Sequence, residues 1–122
     1  KDYRKGIGTS IALGMNNLNA DIDGVMIIPA DMPYINSKDL ISLEKKFMEL
    51  NCVKVVMPEH NYRIGNPVIL PRNYFKNLKS LKDDFGARSL IRKKDIITLK
   101  TGFGTIFDID TKEELAKTKV NY

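Results

Sequence analysis

The apolar positions change period along the chain, and each change marks an element. Ile11, Met15 and Leu18 recur at i, i+4 and i+7, the stripe of a helix over 10–19 that Ser10 is placed to cap. Gly14 interrupts it at a cost of about 1 kcal/mol relative to alanine, so close packing or a ligand is expected there. Gly24-Val25-Met26-Ile27-Ile28-Pro29 is apolar throughout, the pattern of a strand covered on both faces and usual in parallel sheets. It leads into Ala30-Asp31-Met32-Pro33. Leu40, Leu43, Phe47 and Leu50 form one side of an amphipathic helix over 37–50, with Asn36 or Ser37 as its cap. Val53 to Met57 reads as a second strand, stopped by Pro58. A polar loop, Glu59 to Asn66, precedes a short strand Val68-Ile69-Leu70 and a helical turn over 73–78. Ala87 to Lys93 reads as helix, and Ile96–Leu99 and Thr105–Ile109 as strands. Thr111-Lys112-Glu113-Glu114 has the form of a capping box that opens a last short helix.

Strands alternating with helices predict an α/β domain with a mostly parallel sheet, a single domain over 1–122. In such sheets ligands bind beyond the carboxyl ends of the strands, so motifs at strand ends outrank motifs elsewhere. The 122 residues and 43% hydrophobic content fit a soluble globular chain. No apolar run approaches the roughly 20 residues of a membrane span. One Cys excludes an internal disulfide framework and any multi-Cys zinc site. The formal net charge of +5 permits an anionic partner. Because the basic residues are interspersed with acids, a solvated lysine-rich surface is the preferred explanation of them, and the aromatic–basic interleaving of a nucleic-acid platform is missing. The chain lacks an initiator Met and a signal-like segment, and is expected to be a piece of a longer protein.

Three carboxylates are placed at strand ends. Asp31 follows the most apolar strand, and Asp108 and Asp110, two apart, share one face of the last strand if it is extended. Such carboxylates can meet around one hard cation, as Mg²⁺ commonly takes one or two carboxylates plus phosphates and water. They can equally brace turns. Gly6-Ile7-Gly8-Thr9-Ser10 precedes a helix, where backbone, hydroxyls and free amides can approach a ligand or simply make a turn. In Arg63-Ile64-Gly65-Asn66-Pro67 the Asn and Arg either present polar groups to a substrate or belong to a compact turn with a left-handed Asn. Arg88, in Phe85-Gly86-Ala87-Arg88, is either surface charge or a phosphate clamp. His60 is expected to face solvent, Cys52 to be a small buried hydrophobe in a strand.

Taken in order, Gly6-Ile7-Gly8-Thr9-Ser10-Ile11 with Gly14, Pro29-Ala30-Asp31-Met32-Pro33, Gly65-Asn66-Pro67-Val68, Gly86-Ala87-Arg88 and Asp108-Ile109-Asp110-Thr111 resemble the MobA-like nucleotidyltransferases. The Gly-Asn-Pro, Gly-Ala-Arg and Asp-Ile-Asp-Thr elements are more similar to the molybdenum cofactor cytidylyltransferases than to the guanylyl branch. The resemblance implies a three-layer, Rossmann-like fold and transfer of a nucleoside monophosphate, from CTP rather than GTP, to the phosphate of molybdopterin or its molybdenum form. It implies Mg²⁺ or Mn²⁺ held by Asp31 with Asp108 or Asp110. Gly8, Thr9 and Ser10 would lie along base and ribose, and Asn66 and Arg88 would face the acceptor. A cytoplasmic location and a transient molybdoenzyme or chaperone partner follow from the same likeness, with neither nucleic acid nor membrane as partner. The chain departs from the family in lacking the opening strand and its glycine-rich Ser/Arg/Lys loop, in Ala30 where relatives often have Gly, and in Lys112 where they often have Pro. The chain alone is therefore expected to be inactive. Other expectations are a guanylyl- or sugar-phosphate nucleotidyltransferase relative, or a non-catalytic accessory protein that binds the cofactor for a molybdoenzyme.

Overall fold

In the computed structural model, residues 6–19 and 21–108 are described. Helix α1 spans Ile7–Asn16, strand β1 Gly24–Ile27, and helix α2 Ser37–Glu49. Strands β2 (Val55–His60), β3 (Arg63–Ile64) and β4 (Val68–Pro71) follow. A 3₁₀ turn at Arg72–Tyr74 leads into helix α3, Phe75–Leu78. Two further 3₁₀ turns, at Ala87–Leu90 and Lys93–Asp95, precede strand β5, Ile96–Lys100. A last 3₁₀ turn covers Phe103–Thr105.

The elements build one sheet in the order β1-β4-β2-β3, with β5 also paired to β2. The α/β class and open sheet agree with the sequence, but the strand directions correct it. β4 pairs antiparallel with both β1 and β2, β3 with β2 is a hairpin, and the β2–β5 pair is parallel. The cause is connection length. A parallel neighbour needs a crossover of a dozen or more residues, whereas only residues 61–67 separate β2 from β4, and the reversal falls at Asn61 and Tyr62. The chain therefore turns straight back. It enters the gap that the β1–α2–β2 crossover leaves between its two strands, which themselves point the same way as β5.

Alternation along the strands gives each face its own core. Val25, Val55, Met57, Val68 and Leu70 point to one side, where Met15, Tyr74, Leu78 and Ala87 complete a cluster. Val56 and Ile69 point to the other and meet Leu43 and Phe47 of α2. Central strands buried on both faces are why their sequence carries no polar alternation. β1 has one strand partner among the described residues, and an apolar groove lined by Ile11, Met15, Leu18 and Ile22 runs beside it.

Element ends also differ from expectation. α1 starts at Ile7 behind Gly6, whose φ of 97° suits glycine, and Ser10 lies inside the helix rather than at its cap. Asn36 caps α2, its side chain accepting the Asp39 N–H. Pro58 does not stop β2, which runs on to His60, and the expected polar loop is a hairpin with Asn61 and Tyr62 at positive φ. Residues 87–93 form short 3₁₀ turns instead of a helix, and residues 105–108 form no strand. His60 is half-buried, with Nδ1 at 2.8 Å from the Thr101 carbonyl, and Cys52 is half-buried in the turn after α2 at φ 58°. Asp110 and the capping box Thr111–Glu114 lie outside the described residues.

Candidate functional site

Three elements deliver their carboxyl ends to one rim of the sheet, because β1, β2 and β5 point the same way, and β4 begins there. The loop after β1 carries Asp31, the connection into β4 carries Asn66, and the segment after β5 carries Thr105 and Asp108. Arg88 arrives on the 3₁₀ turn that follows Gly86. Asp31, Asn66, Arg88 and Asp108 all line one cleft of about 350 Å³, together with Arg63, Thr105 and Ile7.

Backbone contacts hold the connection into β4 in place. The Gly65 N–H donates to the Pro58 carbonyl at 3.0 Å, and the Asn66 N–H donates to the Thr105 carbonyl at 2.8 Å. The Thr105 carbonyl sits so close to Gly65 that a Cβ there would approach it to 1.9 Å. Glycine at this position is a condition of the two loops touching. The Asn66–Pro67 peptide is cis, and Asn66 is not left-handed. The Arg88 guanidinium donates to the Gly65 carbonyl from across the cleft. Partial burial lowers the Arg88 pKa, a shift that leaves an arginine charged near neutrality. Arg88 is thus tied to the loop that presents Asn66 and is not a free surface charge.

Asp31 and Asp108 are both exposed, so their carboxylates lie in water at the mouth of the cleft. Among the described residues no three His, Cys, Asp or Glu side chains gather as a complete metal shell. Two carboxylates beside an amide oxygen are nevertheless a hard-oxygen donor set, suited to a divalent cation that draws its remaining ligands from phosphate and water. The two arginines lining the same cleft supply positive charge for an anionic ligand.

The glycine motif before α1 is placed differently from this group. Gly8 is buried against the backbone of 82–85, where a Cβ would come within 2.3 Å of the Phe85 carbonyl. The Gly8 N–H donates to the Asp83 carbonyl at 2.8 Å, and the Thr9 hydroxyl accepts the Asp83 N–H at 3.2 Å. Ser10 is exposed on α1. Ile7, rather than Gly8, Thr9 or Ser10, lines the cleft. Thr105 is a member that sequence reading missed. Its buried carbonyl and hydroxyl act in a turn where a strand was expected, and no motif around it signals this.

The MobA-like NTP transferase domain matches residues 1–97. The chain belongs to this family. Its fold is similar to that of an Rv0371c homologue from Mycobacterium sp. strain JC1, with TM-score 0.77 and 19% identity over 92% of this chain and 56% of that one. It is also similar to Rv0371c from Mycobacterium tuberculosis H37Rv in complex with manganese, at TM-score 0.74 and 16% identity, covering 93% and 61%. Molybdopterin-guanine dinucleotide biosynthesis protein A from Archaeoglobus fulgidus aligns at TM-score 0.59 and 14% identity, covering 98% and 64%. No curated protein gives a significant match. This MobA-like chain therefore spans about three fifths of the length of the solved structures it resembles. Among its described residues no helix is long and apolar enough to cross a membrane.

Proposed function

We propose that the protein containing this chain is a nucleotidyltransferase that moves a nucleoside monophosphate, CMP in the first instance, from a nucleoside triphosphate to the phosphate of a molybdopterin-type acceptor in the cytoplasm. The reading rests on family membership, and one observation carries it to the residues. Asp31 and Asp108, from loops far apart in sequence, line the same cleft as Asn66 and Arg88. The Gly-Asn-Pro and Gly-Ala-Arg motifs favour the cytidylyl over the guanylyl branch.

In this reaction an acceptor phosphate oxygen attacks the α-phosphorus. A new P–O bond forms as the bond from the α-phosphorus to the bridging oxygen breaks, and pyrophosphate carries away the electron pair. No protein nucleophile is needed, and the barrier is one of charge repulsion and alignment. Asp31 and Asp108 would hold a divalent cation, Mg²⁺ or Mn²⁺, which when bound neutralises phosphate charge. The Arg88 guanidinium uses one donor on the Gly65 carbonyl and keeps others for an acceptor phosphate, so it anchors a loop and offers charge at once. Asn66, fixed through its backbone to Thr105, presents its amide to the same ligand.

The deciding experiment is pyrophosphate release by the full-length protein supplied with CTP or GTP, Mg²⁺ and a pterin phosphate. Release that requires the acceptor and prefers CTP supports the proposal. Preference for GTP or a sugar phosphate reassigns the substrate. Binding of the pterin without release identifies a non-catalytic carrier for a molybdoenzyme.

A further inference from the structure

Asp39 is a buried carboxylate in the first turn of α2, about 9% exposed. The helix N-terminus favours negative charge there. Its Oδ2 accepts the N–H of Gly102, 63 residues along the chain, at 3.1 Å. That bond reaches the start of the turn leading to Asp108. Inside the turn the Thr105 hydroxyl donates to the Gly102 carbonyl at 2.9 Å and lies 2.9 Å from the Thr101 hydroxyl. Gly104 rests on the Tyr34 carbonyl so closely that a Cβ would come within 2.0 Å of it. The rings of Tyr34, Phe103 and Phe107 complete the seam, with centroids 5.2 to 5.9 Å apart. Tyr34 belongs to the loop that carries Asp31, and Phe107 is the neighbour of Asp108.

We propose that Asp39 is a positioning residue that clamps the 102–105 turn to the start of α2 and so sets Asp108 opposite Asp31 at the spacing a divalent cation requires. The inference rests on the metal reading of the cleft given above. Asp39 itself touches neither ligand nor metal. Its effect passes through Gly102, the hydroxyl pair and the aromatic seam.

The test uses full-length protein and Mn²⁺ binding followed by electron paramagnetic resonance, with amide hydrogen exchange across 101–108 measured on the same samples. Asp39→Ala removes the acceptor, and Mn²⁺ affinity should fall by about tenfold or more, the usual scale for an outer partner of a metal site. Asp39→Asn keeps an oxygen acceptor for Gly102 and should stay within about threefold of the parent. Asp39→Glu keeps the charge but displaces the oxygen, and should weaken binding with the fold retained. It serves as the reading if the alanine variant does not fold. Parental affinity in the glutamate or alanine variant, or equal loss in the asparagine and alanine variants, overturns the proposal. If the parent protein itself binds no Mn²⁺, the metal reading of the cleft fails. Exchange then decides the clamp separately, with faster exchange over 101–108 in Asp39→Ala supporting it and unchanged exchange refuting it.

Discussion

Asp31 and Asp108 line the same cleft, one from the loop after β1 and the other from the segment after β5. Their side chains are exposed, so neither supports the core. Replacing Asp31 with Asn in the full-length protein should leave its thermal unfolding within about 2 °C of the parent, since surface changes of this kind cost under about 0.5 kcal/mol. Metal-dependent pyrophosphate release should fall at least 100-fold, because an uncharged amide holds a hard cation poorly. Retained turnover would remove Asp31 from the metal site.

Arg88 is expected to matter for geometry as much as for charge. Its guanidinium holds the Gly65 carbonyl, and a hydrogen bond to a charged group is worth about 1.5–3 kcal/mol. Arg88→Ala should therefore lower stability and raise the KM for the acceptor. Arg88→Lys should restore little of either, because an ammonium cannot hold the carbonyl and a phosphate in the same fork. Steady-state kinetics beside urea unfolding separate the two effects, and full recovery by lysine would contradict the shared-donor role.

At Gly65 the prediction is steric. A methyl group there meets the Thr105 carbonyl, which already accepts the Asn66 N–H. Gly65→Ala must push the 105 turn away and should cost about 1–3 kcal/mol in urea unfolding, the range for overpacking a tight contact. Gly14 is exposed with an open Cβ direction, which corrects the expectation of close packing there, and alanine at this position should be neutral or stabilising by up to about 1 kcal/mol. The opposite order of the two variants would mean the 65–105 contact is looser than it stands here.

Acid should act through Asp95. The buried Tyr74 hydroxyl donates to its Oδ2, and the Arg92 Nε donates to the same oxygen at 3.0 Å. The Tyr74 hydrogen bond is the largest influence lowering the Asp95 pKa below the ordinary aspartate value, and Arg92 adds to it. A carboxyl with a lowered folded-state pKa stabilises the fold above its unfolded value, about pH 4, and loses that contribution as pH falls through the lower folded value. Asp95→Asn should thus flatten the acid limb of a stability-against-pH curve. Tyr74→Phe should reduce stability at pH 7 and move the acid limb in the same sense. An unchanged acid limb in Asp95→Asn would place the titrating group elsewhere.

Much of this architecture is legible in the residues. The stripe Leu43–Phe47 with Asn36 before it defines α2 because helix periodicity and capping are local, and all-apolar β4 announces burial on both faces, whereas β1, equally apolar, buries only Val25 fully. Asp31, Asn66, Arg88 and Asp108 stood out in the sequence because each ends or begins a strand or turn, and in the structure those ends share one rim. The direction of β4 was also readable, since the residues 61–67 between β2 and β4 are too few for a crossover, although the apolar run alone suggested a parallel neighbour. What the chain order could not disclose are contacts whose partners lie far apart along it. Gly8 reads as a ligand cradle until the 82–85 backbone is seen filling its space, and Thr105 reads as a strand residue until its carbonyl meets Asn66. Asp39 looks like an ordinary first-turn acid until Gly102 arrives on its oxygen. Periodicity and turn chemistry are written in neighbouring residues, whereas close packing between loops depends on where the sheet delivers them.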